Sequence, residues 1–173
     1  KQYRVDGTGH QTKYLYGEVS KQQKPGLGYG MQIDGKNCIE YAYDLLGRCK
    51  KKTQIYPSGK KKEITYTYVQ GIKEGTTTAL VGTITENGKE TAYAYDGRGN
   101  ILEICTKELD TGKVTDHMIY TYNGMNQVIR EEDAVRGTTY TYTYDLGGNL
   151  LENKKYDRVN GVEELRGTDT YTY

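Results

Sequence analysis

The sequence predicts an all-β chain of tandem hairpins, an open antiparallel meander that curves or spirals, on three observations. Tyr-x-Tyr pairs recur through the chain, a short acidic-to-glycine turn follows many of them, and no segment sustains helical periodicity. Seven non-overlapping pairs begin at residues 14, 41, 66, 93, 120, 142 and 171, which makes an array of units of roughly 26 residues. Fourteen of the nineteen tyrosines sit in these seven pairs, so the spacing is a property of the chain and not of its tyrosine content.

Each unit opens with the pair itself. Positions i and i+2 of a strand share a face, so both rings point one way while Ala or Thr between them points the other. Rings of neighbouring strands are expected to stack as a ladder, each cross-strand pair contributing roughly 0.2 to 1 kcal/mol. The turn comes next. In Tyr41, Tyr43, Asp44 and Gly47, in Tyr93, Tyr95, Asp96 and Gly99, and in Tyr142, Tyr144, Asp145 and Gly148, an aspartate stands three residues before a glycine. The carboxylate of a type I turn accepts backbone N–H groups, and the glycine supplies the positive φ that closes a three-residue hairpin loop. The unit at Tyr120 and Tyr122 replaces both residues with asparagine, Asn123 and Asn126. Asparagine also caps such a turn and tolerates the left-handed region, so the physics is kept.

A second strand then begins with adjacent apolar residues, Ile101-Leu102, Val128-Ile129 or Leu150-Leu151, which are expected to bury one side chain on each face. Return turns follow at Pro57-Ser58-Gly59, Asn87-Gly88, Asp110-Thr111-Gly112, Arg136-Gly137 and Asn160-Gly161. Two units depart from the pattern. The unit at 66 carries Val69 where the aspartate belongs, and the unit at 14 runs into "EVSKQQKPGLGYG", an expected irregular excursion with Pro25. Residues 1–37 therefore read as a divergent first repeat with a Gly-rich loop, and 38–173 as the regular hairpin array, which stops inside a repeat at Tyr171-Thr172-Tyr173 and is expected to be cut from a longer protein.

The phrase Tyr-x-Tyr-Asp-x-x-Gly-[Arg/Asn]-apolar resembles the YD repeat of RHS proteins, a family that includes bacterial wall-associated proteins, polymorphic toxins, ABC toxin complexes and teneurins. The resemblance runs from about residue 38 to the end. It implies a strip of β-hairpins that coils into a hollow shell, partnered by further YD repeats and by an enclosed or appended effector domain, in a large secreted or cell-surface bacterial protein. The family's core-associated segment, with its Asp-Pro-x-Gly-like signature and autocleavage aspartates, is missing from these residues: neither Pro25 nor Pro57 follows an aspartate.

Composition bounds the other readings. Hydrophobic residues are 35% of the chain, with no Phe and no Trp, which predicts a thin object with much exposed area instead of a dry core. A net charge of +1 gives no general pull toward nucleic acid or an acidic membrane, and no apolar run is long enough to span a bilayer. The three cysteines, Cys38, Cys49 and Cys105, read as unpaired thiols, without zinc-site spacing. No cofactor or metal is expected. His10 and His117 lack a companion at ligand spacing and no nucleophile motif accompanies them, so no enzyme is read. Recurrence once per unit also argues against catalysis by Asp44, Asp96 and Asp145, because a carboxylate pair must converge on one substrate. The lysine triplets Lys50, Lys51, Lys52 and Lys60, Lys61, Lys62 flank one turn and read first as a solvated edge, with an anion patch for surface polymers as the alternative. Tyrosine rows acting as sugar platforms make a glycan-binding adhesion module the alternative function. Edge strands leave pairing between copies open.

Overall fold

In the computed structural model, residues 3–18 and 23–173 are described, and among them every regular element is an antiparallel β-strand. Residues 19–22 of the expected excursion lie outside the described residues.

The chain divides into two units, Lys1–Gly88 and Lys89–Tyr173. The first holds β1 (Tyr3–Val5), β2 (Gln11–Tyr16), β3 (Gly28–Ile33), β4 (Lys36–Tyr43), β5 (Cys49–Ile55), β6 (Lys61–Gln70) and β7 (Thr77–Glu86). The second holds β8 (Lys89–Tyr95), β9 (Ile101–Glu108), β10 (Val114–Tyr122), β11 (Val128–Asp133), β12 (Thr138–Tyr144), β13 (Leu150–Val159) and β14 (Val162–Thr170). Within each unit the strand order is the chain order, with no crossover, so each is an open sheet of consecutive hairpins. The all-β tandem-hairpin fold expected from the tyrosine spacing is the fold observed.

Threonine, tyrosine and isoleucine carry the strands because β-branched and aromatic side chains fit a pleated, half-covered surface. The register fixes two faces. In the second unit Tyr120 lies opposite Glu131, Glu131 opposite Tyr140, and Tyr140 opposite Lys155, which forms the tyrosine face. Ile119, Glu132, Thr139, Tyr156 and Leu165 succeed one another across the other face.

No hydrophobic side chain among the described residues is buried, and the most enclosed side chain is a threonine, Thr139, 1% exposed. The paired apolar residues after the turns do not bury both members. Leu102 stays 37% exposed and Leu151 40%, because a single sheet has no second layer to cover its outer row.

Thr139 is covered by charge. Its hydroxyl donates to Glu163 Oε1 at 2.9 Å. Glu163 also binds Arg130, and Arg158 Nη2 reaches Glu132 Oε1 at 2.6 Å, so β11 through β14 are tied on that face by an Arg–Glu network. Hydrogen bonds from Arg158 and then Arg130 hold the Glu132 carboxyl below its ordinary value, against the opposing effect of burial.

Candidate functional site

Chemistry-bearing residues concentrate in the turns. At Asp96 the backbone closes a three-residue loop, with Asp96 N donating to Asn100 O at 2.9 Å and Gly99 N to Asp96 O at 3.1 Å, and Gly99 takes φ +90°. Asp96 Oδ1 accepts the N–H groups of Arg98 and Asn100 at 2.8 and 2.9 Å, and Oδ2 accepts Asn100 Nδ2 at 2.8 Å. Asp145 repeats the pattern with Asn149, whose N and Nδ2 donate at 2.8 and 2.9 Å. Asp44 repeats it with Leu46, Arg48 and the Arg48 guanidinium, at 2.9, 2.9 and 2.7 Å. In all three turns both carboxylate oxygens are engaged within the turn.

The asparagine version reverses one polarity. Asn123 Oδ1 accepts the N–H groups of Met125 and Gln127 at 2.9 and 3.0 Å, as the aspartates do. Its Nδ2 then donates to Gln127 Oε1 at 2.8 Å, where an aspartate would accept. Asn126 takes φ +62° in the place of the glycine. Gln127, standing where the other turns have Arg or Asn, provides the matching acceptor.

A further turn of this kind was not visible in the tyrosine count. Asp6 accepts from Thr8 N, Thr8 Oγ1 and His10 N at 2.9, 2.6 and 3.1 Å, and Gly9 takes φ +85°. The signal was Asp6-x-x-Gly9 alone, since Val5 replaces the second tyrosine. At the unit with Val69, β6 runs on to Gln70, and the loop closes through Gly71 N to Thr76 O at 2.8 Å.

Turns also bind one another within a unit. Arg98 Nη1 donates to Gly124 O at 2.9 Å, Asn100 Nδ2 to Asn126 Oδ1 at 3.0 Å, and Gln127 Nε2 to Gly148 O at 3.2 Å. In the first unit Arg48 Nη2 donates to Thr77 Oγ1 at 2.8 Å while its guanidinium stacks over Tyr68 at 4.0 Å.

The tyrosines act differently from a ring ladder. Among the described residues, two ring contacts join members of one pair, Tyr41–Tyr43 and Tyr93–Tyr95, and a third joins Tyr29 to Tyr43 at 5.1 Å. The recurrent interaction is a hydroxyl-to-carbonyl bond. The second tyrosine of a pair donates to the first residue of the preceding strand: Tyr43 to Gly28 at 2.5 Å, then Tyr68 to Cys49, Tyr122 to Ile101 and Tyr144 to Val128, each at 2.8 Å.

The lysine triplets are not level with each other. Lys51 stands opposite Thr65 and Lys52 opposite Ile64, whereas Lys61 stands opposite Ile55 and Lys62 opposite Gln54. The two triplets are thus offset along the ladder, and these four lysines each face a neutral residue of the other strand. Lys51 binds Glu63 at 2.5 Å and Lys62 binds Glu86 at 2.7 Å.

His10 Nδ1 meets Asp34 Oδ2 at 2.6 Å, and His117 Nε2 meets Glu103 Oε1 at 2.7 Å. Among the described residues no group of three or more His, Cys, Asp or Glu side chains is arranged to hold a metal ion, and the three cysteines are free thiols.

No protein-family model and no curated protein matches the chain. Solved structures do. The crystal structure of TcdB2-TccC3 matches 88% of this chain at 17% identity with a TM-score of 0.60, and that of TcdB2-TccC3-TEV matches 99% at 15% identity with a TM-score of 0.51. The chain spans about a tenth of the length of the chains it matches, which are covered to 9% and 10%. The likeness is one of fold: this chain is built as a stretch of TcdB2-TccC3 is built.

Proposed function

We propose that the chain is a non-catalytic structural segment of a large secreted or surface-exposed RHS/YD-repeat protein, one stretch of a β-sheet shell or stalk that encloses or displays an effector domain. The observation that carries this reading is the use of the turn acids. Asp44, Asp96 and Asp145 direct both carboxylate oxygens into their own loops, and Asp96 and Asp145 are held below the ordinary carboxylate value by the Asn100 and Asn149 side chains first, and then by backbone N–H groups. A general acid near neutral pH needs the opposite shift and a free oxygen. The sequence resemblance to YD repeats and the fold likeness to TcdB2-TccC3 support the same reading from independent sides.

The test compares stability with turnover. Asp96→Ala and Asp145→Ala are expected to lower the melting temperature of the purified chain, each by a few degrees, with no hydrolysis of common glycans by the wild type. Turnover that Asp96→Asn abolishes while the fold persists overturns the scaffold reading.

A further inference from the structure

One turn has the backbone of the capped turns without the cap. From Tyr56 to Lys60, Tyr56 N donates to Lys60 O at 2.9 Å, Gly59 N donates to Tyr56 O at 2.8 Å, and Gly59 takes φ +81°. These values match the Asp44 turn, where the bonds are both 3.0 Å and Gly47 takes φ +85°. In the Asp44 turn the carboxylate fills the space in front of the N–H groups two and four residues on. Here those positions are Ser58 and Lys60, and tyrosine supplies no acceptor. Lys60 N reaches only Ser58 Oγ, at 3.4 Å, and Ser58 N has no hydrogen-bond partner among the described residues. With Gly59 N tied to Tyr56 O, one N–H without an acceptor and a second held only by a 3.4 Å contact leave the place of the capping carboxylate open to an outside anion.

The surroundings are cationic. Lys60 and Lys61 have no carboxylate partner among the described residues, while Lys62 beside them is neutralised by Glu86. Tyr56, Pro57, Ser58 and Lys60 to Lys62 line a depression of about 710 Å³ over this turn. Tyr56, 38% exposed, and Pro57 give it an apolar wall.

We propose that the Tyr56–Lys60 turn binds an acidic polysaccharide through one sulfate or carboxylate group. That group takes the place held elsewhere by the capping aspartate, accepting from Ser58 N and Lys60 N. Lys60 and Lys61 provide countercharge, and the sugar ring lies against Tyr56 and Pro57. A polysaccharide fits better than a nucleic acid because a turn sized for one oxyanion adjoins the apolar wall of Tyr56 and Pro57, on which a sugar ring can lie. The proposal is independent of the scaffold reading.

The experiment follows the backbone amides of the full chain by NMR while a sulfated disaccharide, the same disaccharide unsulfated, inorganic sulfate and a short oligonucleotide are titrated at constant ionic strength. The sulfated disaccharide is expected to shift Ser58 and Lys60 saturably, several-fold more tightly than inorganic sulfate, and the unsulfated sugar is expected to leave them in place. Tyr56→Asp installs an internal cap, so it should abolish these shifts while keeping or raising the melting temperature. Lys60→Gln with Lys61→Gln should weaken binding about tenfold, and serves as the test if Tyr56→Asp does not fold. The proposal is overturned by the absence of a saturable shift, by equal shifts in Tyr56→Asp, by equal affinity for free sulfate and the sulfated sugar, or by binding of the oligonucleotide alone.

Discussion

Asp96 and Asp145 are kept charged by the loops they close. A carboxyl whose value is depressed on folding stabilises the native state fully above its unfolded value near 4, and that contribution is lost as pH falls through the folded value. The contribution of these two carboxyls should therefore be flat between about pH 7 and 5 and decline below about pH 4. Melting curves across this range check it, and the slope should be shallower for the Asp96→Asn, Asp145→Asn double variant; an unchanged slope would place the acid sensitivity elsewhere. The neighbouring glycines separate backbone strain from space. An added Cβ meets nothing within 4 Å at either Gly97 or Gly99, but only Gly99 has a positive φ, +90°. Gly97→Ala should stay within about 0.5 kcal/mol of wild type, while Gly99→Ala should lose about 1 kcal/mol in urea denaturation.

Four strands, those carrying Tyr43, Tyr68, Tyr122 and Tyr144, are held to the strand before them by a phenol as well as by the ladder. Removing one such hydroxyl, as in Tyr122→Phe or Tyr144→Phe, is expected to lower stability by about 0.5–1.5 kcal/mol, with the two losses nearly additive because the tyrosines bond different carbonyls. Tyr142 is different. Burial first, and then the Glu131 charge, push its phenol up to about 12. A raised value means stability is intact below the unfolded value near 10 and is lost as pH climbs toward the folded one. Several other tyrosines are also raised by burial, so phenolate absorbance should show a late-titrating group of tyrosines whose last component moves to lower pH in Glu131→Gln. Much of the hairpin was legible in its letters, because Tyr-x-Tyr and Asp-x-x-Gly each state a local backbone geometry. The phenol bond was not, since its acceptor is a main-chain carbonyl that any residue type provides. The Asp6 loop was hidden by Val5, and the offset of the lysine triplets depended on the length of the Tyr56–Lys60 loop, which residue types alone did not fix.

In each unit, stability comes from strand neighbours and polar ties, without an enclosed apolar centre among the described residues. Every hydrophobic side chain of the described residues is at least partly open to solvent in the folded chain. Less area is therefore left to expose on unfolding, and the urea m-value should fall below that of compact proteins of equal length. Linear arrays also open piece by piece. Gly47→Val, at φ +85°, should reduce amide protection in β4 and β5 while leaving β10 to β13 protected, as hydrogen exchange would show. A uniform loss of protection would instead reveal one cooperative body.

The Asn123–Gln127 exchange shows that the same bend can be drawn with or without a formal charge, provided the donor and its receiver trade places together. An array of this type can thus have the electrical character of its rim rewritten two residues at a time, with the path of its main chain left alone.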